Sequence, residues 1–174
     1  MSFEPDGYLL TADDGPQLWF TGTRMNVKAG GAQTGGAFTV IEWSAPAGFG
    51  PPLHVHGRED EAFYILDGQI SVQCGGKRFT AGPGDFTFLP RGIPHTFLVT
   101  RGLVRGLQIT APAGFEQFIA EAGSPAQGPG LPEPAEPDIA RLAAAGQRYG
   151  HQILGPPPAH HHGTRGDLGG VGLP

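Results

Sequence analysis

The segment GFGPPLHVHGREDEAFYILDG, residues 48–68, carries His54 and His56 one residue apart and Glu61 shortly after them. Side chains two residues apart in a β-strand project to the same side of that strand. The spacing therefore predicts one strand that points both imidazoles in the same direction and a second strand that begins near Glu61. Imidazole and carboxylate groups held close together can bind a transition metal.

The predicted second strand places Glu61 on one face with Phe63 and Ile65, because these residues alternate with their neighbours. If that face is the interior, the carboxylate enters an apolar setting beside two imidazoles. A buried carboxylate without a partner is costly, and a divalent cation removes that cost. The sequence therefore predicts that a metal ion beside the two imidazoles offsets the burial of Glu61.

A third imidazole, His95, comes from far along the chain. The turn PRGIP, residues 90–94, precedes it, and Phe97 and Val99 share its predicted strand face. Two neighbouring strands and one opposite strand would then supply ligands around one point near the mouth of a small barrel.

A structural interpretation of the same residues is simpler. Histidine also serves as an ordinary polar strand residue, and Glu61 with Glu59 and Asp60 could form an exposed charged loop. The grouping of the histidines and Glu61 with glycine and proline turns favours the metal site.

The chain from residue 8 to about residue 110 reads as short strands separated by turns, and its 30 glycines and 18 prolines punctuate apolar runs. Asp67-Gly68 and Gly75-Gly76 are hairpin-turn signals. This pattern predicts an all-β sandwich or closed barrel over residues 1–110. The predicted strands are 8–10, 17–21, 25–28, 38–44, 53–56, 62–67, 69–73, 77–81, 85–89, 95–99 and 105–109.

The character of the chain changes after residue 110. Residues 113–122 have apolar positions on one helical face, and a second short helix is predicted from Pro137 to about Gly146, after a connector at 124–136. We expect residues 111–154 to pack across the outside or the mouth of the barrel. Residues 155–174 read as a flexible tail, in which His160, His161 and His162 would bind metal only adventitiously.

Charge and composition limit the partners. The 11 basic and 16 acidic residues give a mildly acidic chain without a Lys/Arg cluster, so neither nucleic acid nor an anionic membrane is an expected partner. A small molecule is the more plausible partner.

The sequence favours a cytoplasmic location. It lacks an N-terminal secretory signal, and no apolar run reaches membrane-spanning length. Cys74 is the only cysteine, which rules out an internal disulfide and suits a reducing compartment. We interpret Cys74 as a packed, unreactive side chain and His151 as an ordinary surface or packing residue.

The glycine, proline and ligand spacing resembles the two motifs of the cupin superfamily. Gly48-x5-His54-x-His56-x4-Glu61-x6-Gly68 matches the first motif, and Gly84-x5-Pro90-x-Gly92-x2-His95 matches the second, with 15 residues between them. The family's second motif commonly ends in Asn, where this chain has Val99. That Asn is not a metal ligand in the family, so the departure affects only the polarity of the pocket.

The resemblance implies a double-stranded β-helix (jelly-roll) barrel with one or two short C-terminal helices. It implies one divalent metal, with Glu59 as a competitor for the carboxylate role. Nitrogen and carboxylate ligands without thiolate suit Mn, Fe, Co, Ni, Cu or Zn. Family habit implies a homodimer. The implied ligands are His54, His56, Glu61 and His95.

A narrower resemblance is to small bacterial cupins grouped with quercetin 2,3-dioxygenases, carried by residues 36–68 and by YGHQILGPPP at 149–158. In that group O2 adds across the heterocycle of a metal-bound flavonol and carbon monoxide leaves. The resemblance implies that Glu61 also accepts the flavonol hydroxyl proton. Strand alternation and a glycine loop predict an apolar substrate pocket formed by Phe49, Phe63, Ile65, Phe97 and Val99.

Two other functions fit the same residues. A metal-dependent cupin could catalyse isomerisation, cyclisation or hydrolysis without O2, or a barrel of this kind could bind a small molecule without catalysis. Uptake of O2 separates the oxygenase from the non-redox enzyme, and the metal content of the purified protein separates both from a metal-free binder.

Overall fold

The computed structural model describes residues 6–158 and confirms an all-β fold with short helices near its C-terminal end. The helices are α1 (Gly31–Thr34), α2 (Phe115–Ala122) and α3 (Ile139–Tyr149). The strands are β1 (Gln17–Phe20), β2 (Thr23–Ala29), β3 (Thr39–Ala45), β4 (Leu53–His56), β5 (Asp60–Cys74), β6 (Lys77–Ala81), β7 (Phe86–Leu89), β8 (His95–Ala111), β9 (Ser124–Pro125) and β10 (His151–Gly155).

Two long antiparallel strands, β5 and β8, organise the sheet. They pair along nearly their whole length, from Asp60 opposite Ala111 to Cys74 opposite His95. β8 also pairs with β3 and β4, and β5 also pairs with β6 and β7. The strand that carries Glu61 is therefore hydrogen-bonded directly to the strand that carries His95.

The predicted hairpin at Asp67-Gly68 is wrong, because the chain continues through it as one strand. Gly68 has a φ of 76° and lies at shifts in the β5–β8 register, which identifies a β-bulge. A Cβ at Gly68 would lie 2.7 Å from Val104 Cα, so both the backbone conformation and the close approach require glycine. The strands predicted at 95–99 and 105–109 likewise merge into β8.

Other sequence predictions have mixed outcomes. The Gly75-Gly76 hairpin is confirmed, with Cys74 paired to Lys77 across the turn. The predicted strand at 8–10 is wrong, because the structure assigns no strand there and Tyr8 instead donates a hydrogen bond to the Lys28 carbonyl oxygen at 2.7 Å. α1, β9 and β10 were not predicted.

Strand alternation places the core inside the barrel. β3 alternates strictly between buried and half-buried residues, with Ile41, Trp43 and Ala45 inward. On β5, Phe63 and Ile65 are buried. Since Glu61 has the same parity as these two, its carboxylate is carried into the interior, as the sequence predicted.

The C-terminal segment adds a layer over one end of the barrel. α2 buries Phe115, Phe118 and Ile119, and α3 packs against both α2 and β10. β10 pairs antiparallel with β4, with His151 opposite His56. The segment is therefore hydrogen-bonded to the strand that carries two of the histidines. Within residues 6–158, no helix is long and apolar enough to cross a membrane.

Glu116 joins three segments at this end of the molecule. Its carboxylate accepts backbone N–H groups of Gly31 and Gly114, each at 2.9 Å, and also the hydroxyl of Thr39. Burial alone would raise the pKa of Glu116, but these hydrogen bonds, with Thr39 the largest contributor, hold it below the usual value. The ionised carboxylate therefore stabilises the fold.

We expect Glu116→Gln to lower the free energy of unfolding by about 1–3 kcal/mol at neutral pH, because it weakens charge-assisted hydrogen bonds. A carboxyl with a lowered folded-state pKa stabilises above its unfolded pKa of about 4.5, and this stability is lost as the pH falls through the folded value. Urea unfolding at several pH values should show the difference from wild type shrinking below about pH 4.5. Exposed Glu133→Gln is the control, and a pH-independent difference would contradict the assignment.

Candidate metal centre and its cavity

Three imidazoles meet where β4 lies beside the start of β8. His54 and His56 occupy alternate positions of β4, and His54 pairs in register with His95. The ring centroids of His54 and His95 lie 4.5 Å apart, and each lies 5.1 Å from the centroid of His56. The backbone amide of Gly92 donates to the His56 carbonyl oxygen at 2.8 Å, which holds the turn before His95 against β4.

Glu61 completes the group from β5. Its Oε2 lies 3.1 Å from His95 Nε2. The four residues His54, His56, Glu61 and His95 can each offer one ligand atom, and these atoms all lie within 4.8 Å of one another. Glu61 is 3% exposed and His95 1% exposed, and His56 is also buried, whereas His54 is half-buried.

Backbone carbonyls fix the tautomers of two imidazoles. His54 Nδ1 lies 2.7 Å from the Pro52 carbonyl oxygen, and His95 Nδ1 lies 2.9 Å from that of Ile93. A carbonyl oxygen only accepts hydrogen bonds, so each Nδ1 carries a proton, and in the neutral imidazole Nε2 is then the atom with the lone pair. His95 Nε2 is buried and makes no hydrogen bond within the part of the chain that the structure describes.

The electrostatics of the group suit a bound cation. Burial, together with the neighbouring His56 and His95, lowers the pKa of His54 to about 3, so its imidazole is neutral. Burial alone would raise the pKa of Glu61, but the imidazoles, His56 first, lower it to about 2. An ionised carboxylate beside a neutral imidazole with a free lone pair is a ligand set for a divalent metal.

Gln108 orients the carboxylate. This side chain lies on β8, is 4% exposed, and donates a hydrogen bond from Nε2 to Glu61 Oε1. The other oxygen, Oε2, faces His95. The two oxygen atoms of Glu61 therefore have different partners: Oε1 accepts from Gln108, and Oε2 lies beside His95.

An apolar cavity of about 250 Å³ opens beside the group, and His54, His56 and Glu61 line it. Much of its wall is an aromatic cluster in which Trp43, Phe63 and Phe97 contact one another at centroid distances of 5.3–5.4 Å. The ring centroid of Phe49 lies 6.0 Å from that of Phe97. From the C-terminal layer, α2, α3 and β10 supply Phe115, Phe118, Leu142, Gly146 and His151.

The family to which the chain belongs follows from its match to the model of the cupin domain, which spans residues 41–104 and contains all four grouped residues. This chain is a member of the cupin superfamily. It is 30% identical over 142 residues to quercetin 2,3-dioxygenase of Bacillus subtilis strain 168, a match that covers 79% of this chain and 41% of that protein. The chain thus spans about two fifths of the length of this relative.

Solved cupin structures share the fold. KdgF from a Halomonas species is 16% identical, with a TM-score of 0.56 over 64% of this chain and 98% of its own. Pac13 from Streptomyces, a nucleoside dehydratase, is 20% identical, with a TM-score of 0.52 over 64% of this chain and 88% of its own. These similarities confirm the jelly-roll β fold.

Three of the five sequence-predicted pocket residues of this cupin, Phe49, Phe63 and Phe97, line the cavity. Ile65 and Val99 do not line it and instead belong to the closed core, with exposures of 0% and 1%. Each lies four residues from a grouped residue, about 13 Å along an extended strand. Strand alternation correctly predicted that both side chains face the interior, but it did not predict how far along the strand they lie from the cavity.

Sequence reasoning missed a second buried group in this cupin. His56, Glu59 and His151 also lie close enough together to hold a metal ion. His151, which the sequence treated as an ordinary surface or packing residue, is 9% exposed and donates to the Glu59 carboxylate. Two signals pointed to it: the weighing of Glu59 against Glu61, and the run at residues 149–158.

Two further sequence predictions concern Cys74 and the tail histidines. Cys74 is a free, half-buried thiol whose pKa is raised by burial first and by Glu61 second, in agreement with an unreactive packing role. The tail histidines, His160, His161 and His162, lie outside the described residues.

Proposed function

We propose that this cupin is a metal-dependent dioxygenase of the quercetinase-like type, which opens a flavonol or a similar aromatic enol with O2. The observation that carries the proposal is a buried group of three imidazoles and one carboxylate at the wall of an aromatic cavity. The similarity to the Bacillus enzyme supports the substrate class, and the activity of that longer protein is proposed for this chain.

We further propose His54, His56, Glu61 and His95 as the ligands of one divalent transition metal. The residues present fit such an ion: His95 Nε2 is buried and, among residues 6–158, without a hydrogen-bond partner, and Glu61 is an ionised carboxylate held among imidazoles. Three nitrogen donors and one oxygen donor suit Mn, Fe, Co, Ni, Cu or Zn. A bound metal would supply Lewis acidity and a fixed point for orienting substrate and O2.

The protein's own residues would bind the substrate and move its proton. Phe49, Phe63 and Phe97 present ring faces and edges that suit a flat aromatic molecule and exclude water. Glu61 is ionised at neutral pH and can accept the proton of the substrate hydroxyl. Gln108 holds one oxygen of that carboxylate, so the other stays directed at the ligand group.

A second candidate function keeps the same ligands without O2. The observation that favours it is the ionised Glu61 carboxylate at the cavity wall, since such a group can take up a substrate proton and return it to another atom. Isomerisation, cyclisation or hydrolysis would use this carboxylate, and none of these reactions consumes O2.

We also propose how the chain divides into a barrel and an extension, and in which cellular compartment it lies. We take residues 1–110 as the barrel and 111–154 as an extension that completes the cavity, because β10 pairs with β4 and α2 lines the cavity. The single cysteine supports a reducing, cytoplasmic compartment.

We expect the purified protein to bind one equivalent of Co²⁺ or Ni²⁺ with high affinity. His54→Ala should weaken binding by about 100-fold or more, since mutation of a residue that only orients a ligand already lowers metal affinity by about 10- to 100-fold. Competition with a coloured chelator measures the affinity. Both proteins should carry His160→Ala, His161→Ala and His162→Ala, so that the tail does not add a weak site.

Val55→Ala is the matched control for the metal measurement. Val55 lies on β4 between the two histidines and projects to the opposite side. The control should bind metal as wild type does. Equal affinity in His54→Ala and wild type would disprove the proposed ligand set.

We expect the metal-loaded protein to consume O2 and release carbon monoxide with quercetin or a related flavonol. Glu61→Gln should lower kcat by about 100-fold or more, because it removes the proton acceptor and a charged ligand. An oxygen electrode and a carbon monoxide assay measure the two gases.

Glu42→Gln is the control for the O2 measurement, because Glu42 lies outside the cavity lining, where it contacts Lys28 and Arg105. This variant should keep wild-type activity. Absence of O2 uptake with every flavonol and every reconstituted metal would disprove the dioxygenase and favour the non-redox function.

An apolar face on the outside of the barrel supports the homodimer. On β7 the polar residue faces inward and the apolar residues face outward: Thr87 is buried, whereas Phe86 and Phe88 are 61% and 54% exposed. Phe86 pairs with Tyr64, which pairs with Leu107 on the next strand, so the apolar side chains form continuous rows. A second copy of the same face is its proposed partner, because a self-complementary patch closes as a two-fold dimer.

We expect the wild-type protein to be a dimer at micromolar concentration and the double variant Phe86→Ser/Phe88→Ser to be a monomer, because it removes the most exposed rings of that face. Light scattering coupled to size-exclusion chromatography measures the mass. Leu103→Ser, at a residue that is also 54% exposed but not in those rows, should remain dimeric. A monomeric wild-type protein would disprove the interface.

A further inference from the structure

The three imidazoles of the proposed metal site differ in what holds Nδ1. For His54 and His95 the acceptor is a backbone carbonyl oxygen two residues away. His56 has no such carbonyl, and its Nδ1 is buried without a hydrogen-bond partner in the described part of the chain. Glu59 Oε1 lies 3.5 Å from this atom, in the direction from which an acceptor would fix the ring.

Glu59 is itself held from the other side. Its carboxylate is 5% exposed and accepts a hydrogen bond from His151 Nε2 through the same Oε1. One carboxylate oxygen therefore lies between two imidazoles. A buried carboxylate needs such donors, because ionised oxygen atoms without partners are costly to bury.

The fold fixes His151 relative to His56. The two residues are opposite each other in the β10–β4 register, and the Gly57 amide donates to the Gly150 carbonyl oxygen at 2.8 Å. Their rings stack with centroids 4.4 Å apart and planes 28° apart. The ring of Phe118 meets His151 edge-on at 4.4 Å.

We propose that Glu59 and His151 are positioning residues for His56. Glu59 accepts a hydrogen bond from the Nδ1–H group of His56, and His151 holds Glu59 in place. This arrangement gives His56 the same tautomer as His54 and His95, so that all three present Nε2 lone pairs to one ion. Carboxylates commonly orient metal-binding histidines in this way. The inference rests on the proposed metal site and deepens it.

The same three residues could instead hold an ion of their own, but two features of the geometry argue against it. Glu59 Oε1, the oxygen that faces both imidazoles, already accepts a hydrogen bond from His151. His56 belongs to both groups, so two ions would have to share one imidazole.

The first test measures Co²⁺ affinity and the visible Co²⁺ spectrum in the background that lacks the three tail histidines. We expect Glu59→Gln to weaken binding by about 10- to 100-fold, with one ion still bound and the ligand-field bands shifted. His151→Phe keeps a ring between His56 and Phe118 but removes the donor, so it should weaken binding in the same direction by a smaller factor. Glu42→Gln serves as the carboxylate control, and melting of the metal-free variants checks that each one folds.

The second test needs no metal. Long-range ¹H–¹⁵N spectra of the metal-free protein should show His56 with a proton on Nδ1 in wild type and a mixture of tautomers in Glu59→Gln. The amide of Gln is a weaker acceptor than the ionised carboxylate and can also turn its NH2 group toward His56, so the two tautomers become closer in energy. An unchanged His56 tautomer in Glu59→Gln would overturn the positioning role.

The remaining outcomes separate this inference from the function on which it rests. If His54→Ala loses the metal while Glu59→Gln and His151→Phe bind Co²⁺ with wild-type affinity and spectrum, the metal centre stands and the positioning role is wrong. If wild type binds two ions and Glu59→Gln loses one of them, Glu59 is a ligand and the positioning role is again wrong. If His54→Ala binds as wild type does, the proposed metal centre itself is wrong.

Discussion

The constraint on which this structure depends is the burial of the Glu61 carboxylate inside an apolar barrel. Strand β5 must present Phe63 and Ile65 to the core, and the same alternation carries Glu61 inward. The charge is tolerated because Gln108 on β8 donates a hydrogen bond to Glu61 Oε1 and because imidazoles, His56 first, lie beside the carboxylate. The pairing of β5 with β8 therefore serves the core and the site at once, and a slip of one residue would expose the carboxylate.

Strand alternation and turn residues predicted an all-β sandwich or closed barrel and a site that groups histidines with Glu61, because both depend on local geometry. The jelly-roll barrel and the choice of Glu61 over Glu59 came from the resemblance to the cupin motifs. The sequence failed where long-range pairing overrides a local signal. Asp67-Gly68 is a hairpin sequence, yet β5 continues past it because β8 pairs with both halves of the strand. The positive φ of Gly68 is compatible with both a β-bulge and a hairpin turn. Only the pairing with β8 shows that a bulge forms here.

The depth of a side chain and the position of the C-terminal segment could not be read from the pattern. Ile65 and Val99 have the predicted facing, but distance along the strand removes them from the cavity. The position of His151 beside His56 could not be predicted from strand alternation, because β10 joins the sheet by pairing with β4, about 95 residues earlier in the chain. Alternation predicts which residues share a face, and it carries no information on which strands become neighbours.

The division of the site along the chain has a consequence for specificity. The four grouped residues all lie within residues 41–104, the part that matches the cupin domain, whereas Phe115, Phe118, Leu142 and His151 of the cavity wall lie beyond it. A ligand group on paired strands is rigid, since each side chain is fixed by the barrel. The parts of the wall that α2 and α3 build can change in size and polarity without disturbing that group, whereas His151 on β10 stacks on His56 and is tied to it. Under the proposed function, one ligand set would serve different reactions, with the substrate selected by the residues of α2 and α3, which in this chain include the aromatic side chains of Phe115 and Phe118.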